Sequence, residues 1–252
     1  LDASTATREK QAALQRYFAE APAEDAAWAV YFLAGGKPRQ TVPTALLRAT
    51  AMRESGLPDW LFEESYQAVG DLAETIAHVL PPAENPNELG LAEWIEQRLL
   101  PLRGRPPEAQ ADALAAWWRE LDTPGRFLFI KLIGGGFRVG VSRLLVQRAL
   151  AEAFGMDAKV VAQRMMGYTD ARAQPSAARF EALHAAQASA DAGQPYPFFL
   201  AHAWIEGEAV LAERLDDPAG WLVEWKYDGI RAQLVRRGGQ CWIWSRGEEL
   251  IT

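Results

Sequence analysis

Cysteine is almost absent from this 252-residue sequence. Its one copy, Cys241, excludes an intramolecular disulfide framework and a zinc cluster built from thiolates, and suits a reducing compartment. On its strand-like segment it reads as a small core residue. No apolar run approaches the ~20 residues that a membrane-spanning helix needs. Histidine is scarce too: His78, His184 and His202 have no spacing that suggests a metal site or a catalytic triad, so they read as structural. No internal repeat is visible. Positive charge is in deficit, with a net charge of -7, which argues against a uniformly basic nucleic-acid binder but not against a local cationic surface.

What is present is the composition of a soluble globular protein, 49% apolar and 23% charged, in a length that allows one large or two ordinary domains. The chain starts at Leu1 without a charged or apolar leader and ends at Thr252 inside what reads as an unfinished sheet. The expectation is a piece of a longer protein, clipped slightly at the front and heavily at the back.

From Thr7 to about Ser189 apolar residues recur at spacings of three and four, which predicts helices almost throughout. Leu14, Tyr17 and Phe18 form one stripe and Trp28, Tyr31 and Phe32 the next, patterns that belong to a core. Trp94, Trp117 and Trp118 also fall at positions that fit packing. Pro43, Pro58, Thr123 with Pro124, Asp157 and Ser176 read as helix starts, and Gly56, Gly155 and Gly167 as stops. Residues 101–107, with Gly104, read as a loop. About ten helices are expected in an all-α domain over 1–190. Turn formers at 191–197 mark its end, and residues 191–252 form a linker and the beginning of a β-containing domain.

Two basic stretches stand out of this acidic chain. Lys37 and Arg39 lie on a Gly- and Pro-rich loop that opens a helix, with no acid until Glu54. Loop amides and a helix N-terminus add partial positive charge there, which suits a phosphate. Between Arg126 and Arg148 the chain carries Arg126, Lys131, Arg138, Arg143 and Arg148 and no acid at all. Inside that stretch Gly134, Gly135 and Gly136 form a turn between two helices, where glycine lets backbone approach a phosphate closely.

Near the C-terminal end an apolar run at 221–225 delivers Lys226 to a turn, in Glu224-Trp225-Lys226-Tyr227-Asp228-Gly229-Ile230-Arg231. Burial on a Trp-flanked strand would lower the pKa of that amine from ~10.4 and make it a nucleophile. Residues 230–235 alternate as a half-buried strand, Gly238-Gly239 supplies a turn, and 241–244 returns as a strand buried on both faces. That hairpin would bring Ser245 and Arg246 back beside Lys226.

Lys226-Tyr227-Asp228-Gly229, with Glu224 before it and Trp244-Ser245-Arg246 after it, resembles the nucleotide motif and the motif that follows it in the ATP-dependent DNA ligases. Arg138-Val139-Gly140 resembles the Arg-Ile-Gly turn of the DNA-binding domain of the same family, and residues 198–203 loosely resemble the strand that opens its adenylation domain. The implied fold class is a mainly α N-terminal DNA-binding domain followed by the first part of an α+β nucleotidyltransferase domain with antiparallel strands. The resemblance further implies Lys226 as the residue that takes AMP from ATP, Glu224 as an adenine contact, and Arg231 and Arg246 as contacts to sugar or phosphate, with Mg²⁺ neutralising the phosphates. Lys37, Arg39, Lys131, Arg138 and Arg143 would then meet the backbone of nicked duplex DNA. It implies a cytoplasmic, nucleoid-associated monomer in repair, replication or recombination. Ile230 and Gly247 depart from the pattern, and the later motifs and the closing OB-fold are missing, so the chain by itself is expected not to ligate. An RNA ligase or capping-type enzyme shares the lysine motif, and a non-catalytic helical DNA-binding module is a third reading.

Overall fold

The computed structural model describes residues 5–37, 41–134, 140–170, 174–185, 193–196, 198, 217–220, 225 and 228–252. The chain divides into two compact units, Leu1–Ala190 and Asp191–Thr252.

The first unit is helical: α1 (Thr7–Glu20), α2 (Ala23–Leu33), α3 (Thr44–Ser55), α4 (Asp59–Val69), α5 (Leu72–Val79), α6 (Leu91–Glu93), α7 (Pro107–Trp118), α8 (Thr123–Gly134), α9 (Arg143–Ala153), α10 (Ala158–Arg164) and α11 (Ala177–His184). Helix α6 runs on into a π-helical stretch, Trp94–Leu99, and a 3-10 turn, Leu100–Leu102. Asp71, Ser142, Asp157 and Ser176 cap α5, α9, α10 and α11, each accepting backbone N–H groups that the first turn leaves without a helical partner. Pro43 and Pro58 precede α3 and α4 in extended conformation, and Gly56 closes α3 in the left-handed region at φ 69°.

Helix α2 is apolar nearly all round, so it is buried all round. Trp28, Val30, Tyr31 and Phe32 are all in the core, and the Trp28 indole N–H donates to Glu96 at 2.8 Å. Around it, α1 packs on α9, α5 on α8 and α11 on α2. The tryptophans pack as expected, with Trp118 and Trp94 buried and Trp94 and Trp117 set against Phe129 at ring separations of 5.2 and 6.0 Å. In the first stripe Leu14 and Phe18 are buried while Tyr17 is 39% exposed. Among the histidines, His78 is exposed, His184 stacks on Phe154 at 3.8 Å, and His202 lies outside the described residues.

In the second unit β1 (Ala232–Arg237) and β2 (Gln240–Ser245) pair antiparallel, Leu234 opposite Ile243 and Val235 opposite Trp242. Gly238 and Gly239 make the turn with φ of 54° and 79°, the double left-handed conformation that matches the strand twist. Two expectations change. The first strand begins at Ala232, leaving Ile230 exposed, and β2 is not buried on both faces: Cys241 is exposed and Trp242, Ile243 and Trp244 are half-buried. The reason is that one face of the hairpin is covered by the segment at 193–196, where Trp244 Nε1–H donates to the Gly193 carbonyl at 2.8 Å and the Gln233 amide exchanges two hydrogen bonds with the Tyr196 backbone. The other face keeps Leu234 exposed. The expected opening strand at 198–203 lies, apart from Phe198, outside the described residues.

Candidate nucleotide and nucleic-acid sites

Lys226 and Glu224 lie outside the described residues. The expected burial of Lys226 therefore falls outside the described residues too; of its neighbours, Trp225 is 86% exposed. Gly229 is not in the left-handed region, and nothing stands within 4 Å of where a Cβ would be. An alanine would fit there.

The hairpin does bring its two ends together. The Arg246 N–H donates to the Arg231 carbonyl at 3.1 Å, and Ser245 N–H to the Glu249 carbonyl at 2.9 Å, after which the chain turns back along β2 with Leu250 bridging Trp244. Arg231 and Arg246 are therefore adjacent at the open end of the hairpin, and both side chains reach the surface. An exposed guanidinium group is matched in charge and fork geometry to phosphate oxygens, and the paired backbones bring two of them to the same end of the hairpin.

In the helical unit Lys37 is exposed and Arg39 lies outside the described residues. The loop that carries Lys37 is fastened at both ends. Gly36 N–H donates to the Tyr31 carbonyl at 2.8 Å, and a Cβ on Gly36 would stand 2.6 to 2.8 Å from that carbonyl and the Tyr31 ring. At the far end the Gln110 amide donates to the Thr41 carbonyl at 3.1 Å, and Val42 is buried beside it.

The second basic stretch is less uniform than its sequence. Arg126 is buried, donating from Nε to the Trp118 carbonyl at 2.6 Å and from Nη1 towards the Leu80 carbonyl at 3.5 Å. It thus closes the C-terminal ends of α7 and α5 from inside, and burial pulls its pKa down. Lys131, expected at phosphate, pairs its ammonium with Asp71, the cap of α5, and lies 5.3 Å from the Phe127 ring. Arg143, the first residue of α9, is half-buried and donates from Nη2 to the Met165 carbonyl at 2.8 Å, where α10 ends. Arg138 lies outside the described residues, but the end of its turn is visible: Gly140 is left-handed at φ 62°, and Ser142 Oγ accepts from Leu145 N–H at 3.2 Å to start α9. Arg148 is exposed on the same helix.

Two cations escaped the sequence reading, the burial of Arg126 and the burial of Lys10. The signal was present in both cases: Arg126 begins the spacing Arg126, Phe129, Ile130, Ile133, and Lys10 begins Lys10, Leu14, Phe18, so each occupies a core position of its helix. Among the described residues no group of three His, Cys, Asp or Glu side chains converges to hold a metal ion, and no helix is long and apolar enough to cross a membrane.

Residues 1–151 match the family model described as DNA ligase N terminus. The chain is 27% identical to a probable DNA ligase of Opitutus terrae over 97% of its own length and 31% of that protein. It is 25% identical to a DNA ligase of Pyrobaculum calidifontis, over 95% of this chain and 43% of the relative, and 31% identical to a DNA ligase of Sulfolobus acidocaldarius, over 56% and 24%. It spans less than half the length of each of these relatives. With more than half its length under the family model, and an architecture of helical unit followed by an antiparallel hairpin, the chain belongs to the DNA ligase family, of which it carries the N-terminal region.

Proposed function

We propose that this chain carries the DNA-gripping and nucleotide-accepting front of an ATP-dependent ligase that seals nicks in duplex DNA. The observation that carries the reading is the return of Arg246 to Arg231 at 3.1 Å at the end of a hairpin that directly follows Lys226-Tyr227-Asp228-Gly229. Two arginines close in sequence to a lysine of that motif suit a reaction whose every step moves a phosphoryl group.

A 5'-phosphate at a nick has no leaving group, so it must first be activated. Lys226 Nζ, having lost a proton, forms a bond to the α-phosphorus of ATP while the bond to pyrophosphate breaks. The AMP then passes from the lysine to the 5'-phosphate, and the 3'-hydroxyl attacks that phosphate, forming the phosphodiester and releasing AMP. Glu224 contacts the adenine, and Arg231 and Arg246 hold sugar or phosphate oxygens. Mg²⁺, when bound, neutralises the charge that gathers on those oxygens. Lys37, Arg39, Arg138 and Arg143 meet the duplex backbone, which suits an enzyme that must act at any sequence. Lys131 would reach a phosphate only by giving up Asp71. The protein acts as a monomer, in the cytoplasm and on the nucleoid.

Incubating the protein that contains this chain with Mg²⁺ and ATP labelled at the α-phosphate, then separating it under denaturing conditions, tests the chemical step. The label is expected on the protein, released by acid and retained in alkali as a phosphoramidate is, and absent from Lys226→Ala. Label that persists in Lys226→Ala would refute the assignment. Arg143→Ala tests the helical unit: affinity for nicked duplex should fall on all sequences alike, and the slope of log affinity against log salt should flatten by roughly one.

A further inference from the structure

Helix α1 turns a stripe spaced by four residues into the core, and that stripe is Lys10, Leu14, Phe18. Leucine and phenylalanine are 2% exposed, as the position requires, and the lysine is 8% exposed. A primary amine at a core position is a costly choice, because desolvating an ammonium is unfavourable unless its surroundings compensate. Its placement shows what it is set against. A Cβ built on Gly140 would stand 2.8 Å from Lys10 Nζ, closer than real Cβ contacts come. Gly140 is also left-handed, at φ 62°. The backbone conformation is what calls for glycine here, and the close approach shows that the amine lies next to this point of the turn.

Two residues further on, Ser142 caps α9, and Arg143 follows in its first turn, where no acidic residue stands. The turn beside which the Lys10 amine lies leads directly into the start of α9. A positive charge near the turn adds to a helix end that is already positive, and a buried charge is screened by salt far less than an exposed one.

We propose that Lys10 is a positioning residue for DNA binding: its ammonium supports the chain at Gly140 from the core side and so presents the Ser142–Arg143 end of α9 to the phosphates of the duplex. This inference rests on the reading that this end of α9 meets DNA. Lys10 itself, at 8% exposure, stays beneath the surface and acts through the turn.

The test is a double-mutant cycle in the full chain, with affinity for nicked and intact duplex measured by fluorescence anisotropy over a range of salt, below the unfolding midpoint of every variant. Lys10→Met keeps the length and removes the charge, and should weaken both duplexes roughly tenfold. Gly140→Ala should weaken them similarly, and the double variant should be no worse than the weaker single one, because the two residues act as one unit. Lys10→Gln repeats the cycle if the methionine variant does not fold. A Lys10 variant that melts earlier yet binds as the parent does would reduce the lysine to a structural role, and strictly additive losses would separate it from the turn. Either result overturns the inference. Should Arg143→Ala leave affinity and salt slope unchanged, the reading beneath has failed instead, since α9 then does not meet DNA at all.

Discussion

Replacing Asp71 separates two roles that this side chain combines. Its carboxylate accepts the Ala73 and Glu74 N–H groups at 2.9 and 3.1 Å, capping α5, and it pairs with Lys131 from α8. Side-chain exposures of 33% for Asp71 and 19% for Lys131 place the pair at the edge of the α5–α8 contact, not in open solvent. Loss of an aspartate cap costs about 1 kcal/mol, within a range of roughly 0.5 to 2. A part-exposed ion pair adds about 0.5 to 1 kcal/mol. Asp71→Ala should therefore destabilise the helical unit by about 1.5 to 2.5 kcal/mol, and Asp71→Asn, which keeps a capping oxygen, by about 0.5 to 1. At ~2 to 4 °C per kcal/mol for a unit of this size, circular dichroism melts at pH 7 should show midpoints lowered by about 4 to 8 °C and 1 to 3 °C. Burial by itself pushes the Asp71 carboxyl up, but the bond from Lys131, the Glu74 amide, the charge of Lys131 and the Ala73 amide outweigh it, and the net shift is down. With a depressed folded pKa, the stabilisation is complete above the unfolded value of ~3.9 and is lost as pH falls through the folded value, so parent and Asp71→Asn should converge only below about pH 4. Lys131→Met should match Asp71→Asn in stability and leave the salt dependence of DNA binding unchanged. If instead it flattens that slope by about one while Asp71→Asn melts as the parent does, the pair does not form in solution and Lys131 faces DNA.

The buried arginine and the stacked histidine give two further expectations. Arg126→Met leaves the Trp118 and Leu80 carbonyls without their donor and should cost about 2 to 4 kcal/mol, read as a fall in melting midpoint of the order of 5 to 15 °C, whereas the exposed Arg148→Met should move it by a degree or less. His184 has its pKa lowered by burial first, with Arg164 adding to the effect and the Phe180 backbone and Glu181 opposing it. The unfolded chain then binds the proton more readily than the folded one, so stability should fall as pH drops below ~6.5 and level off beneath the folded value; His184→Phe, which keeps the stack on Phe154, should remove that part of the pH dependence in urea titrations between pH 7 and 5.

What could be read ahead of the structure was whatever is encoded within a few residues of itself. Asp157 and Ser176 announce α10 and α11 because a cap acts over three residues, and Gly238-Gly239 announces the hairpin because two left-handed residues in a row admit few alternatives. Periodicity likewise found α2 and the tryptophan packing. The extent of β2's burial was misjudged for the opposite reason: an apolar run looks the same whether one face is covered or two, and the cover on this hairpin comes from Gly193 to Tyr196, nearly forty residues earlier and written as a linker.

Charge obeys the same division. A run of cations without an acid, 126–148, reads as one basic surface because sequence shows only neighbours along the chain. In the fold, Arg126 answers two helix ends, Lys131 answers an aspartate sixty residues away, and Arg143 reaches the end of α10, while Lys10, in a part of the chain with no basic cluster to draw attention, lies against the glycine that closes the turn. The net charge of a segment is thus a poor guide to how much of it remains for a phosphate. Position on the helical stripe is a better one: a cation at a core position, as Lys10 and Arg126 are, is turned away from solvent, and its effect on DNA, where it has one, must pass through the element that it packs against.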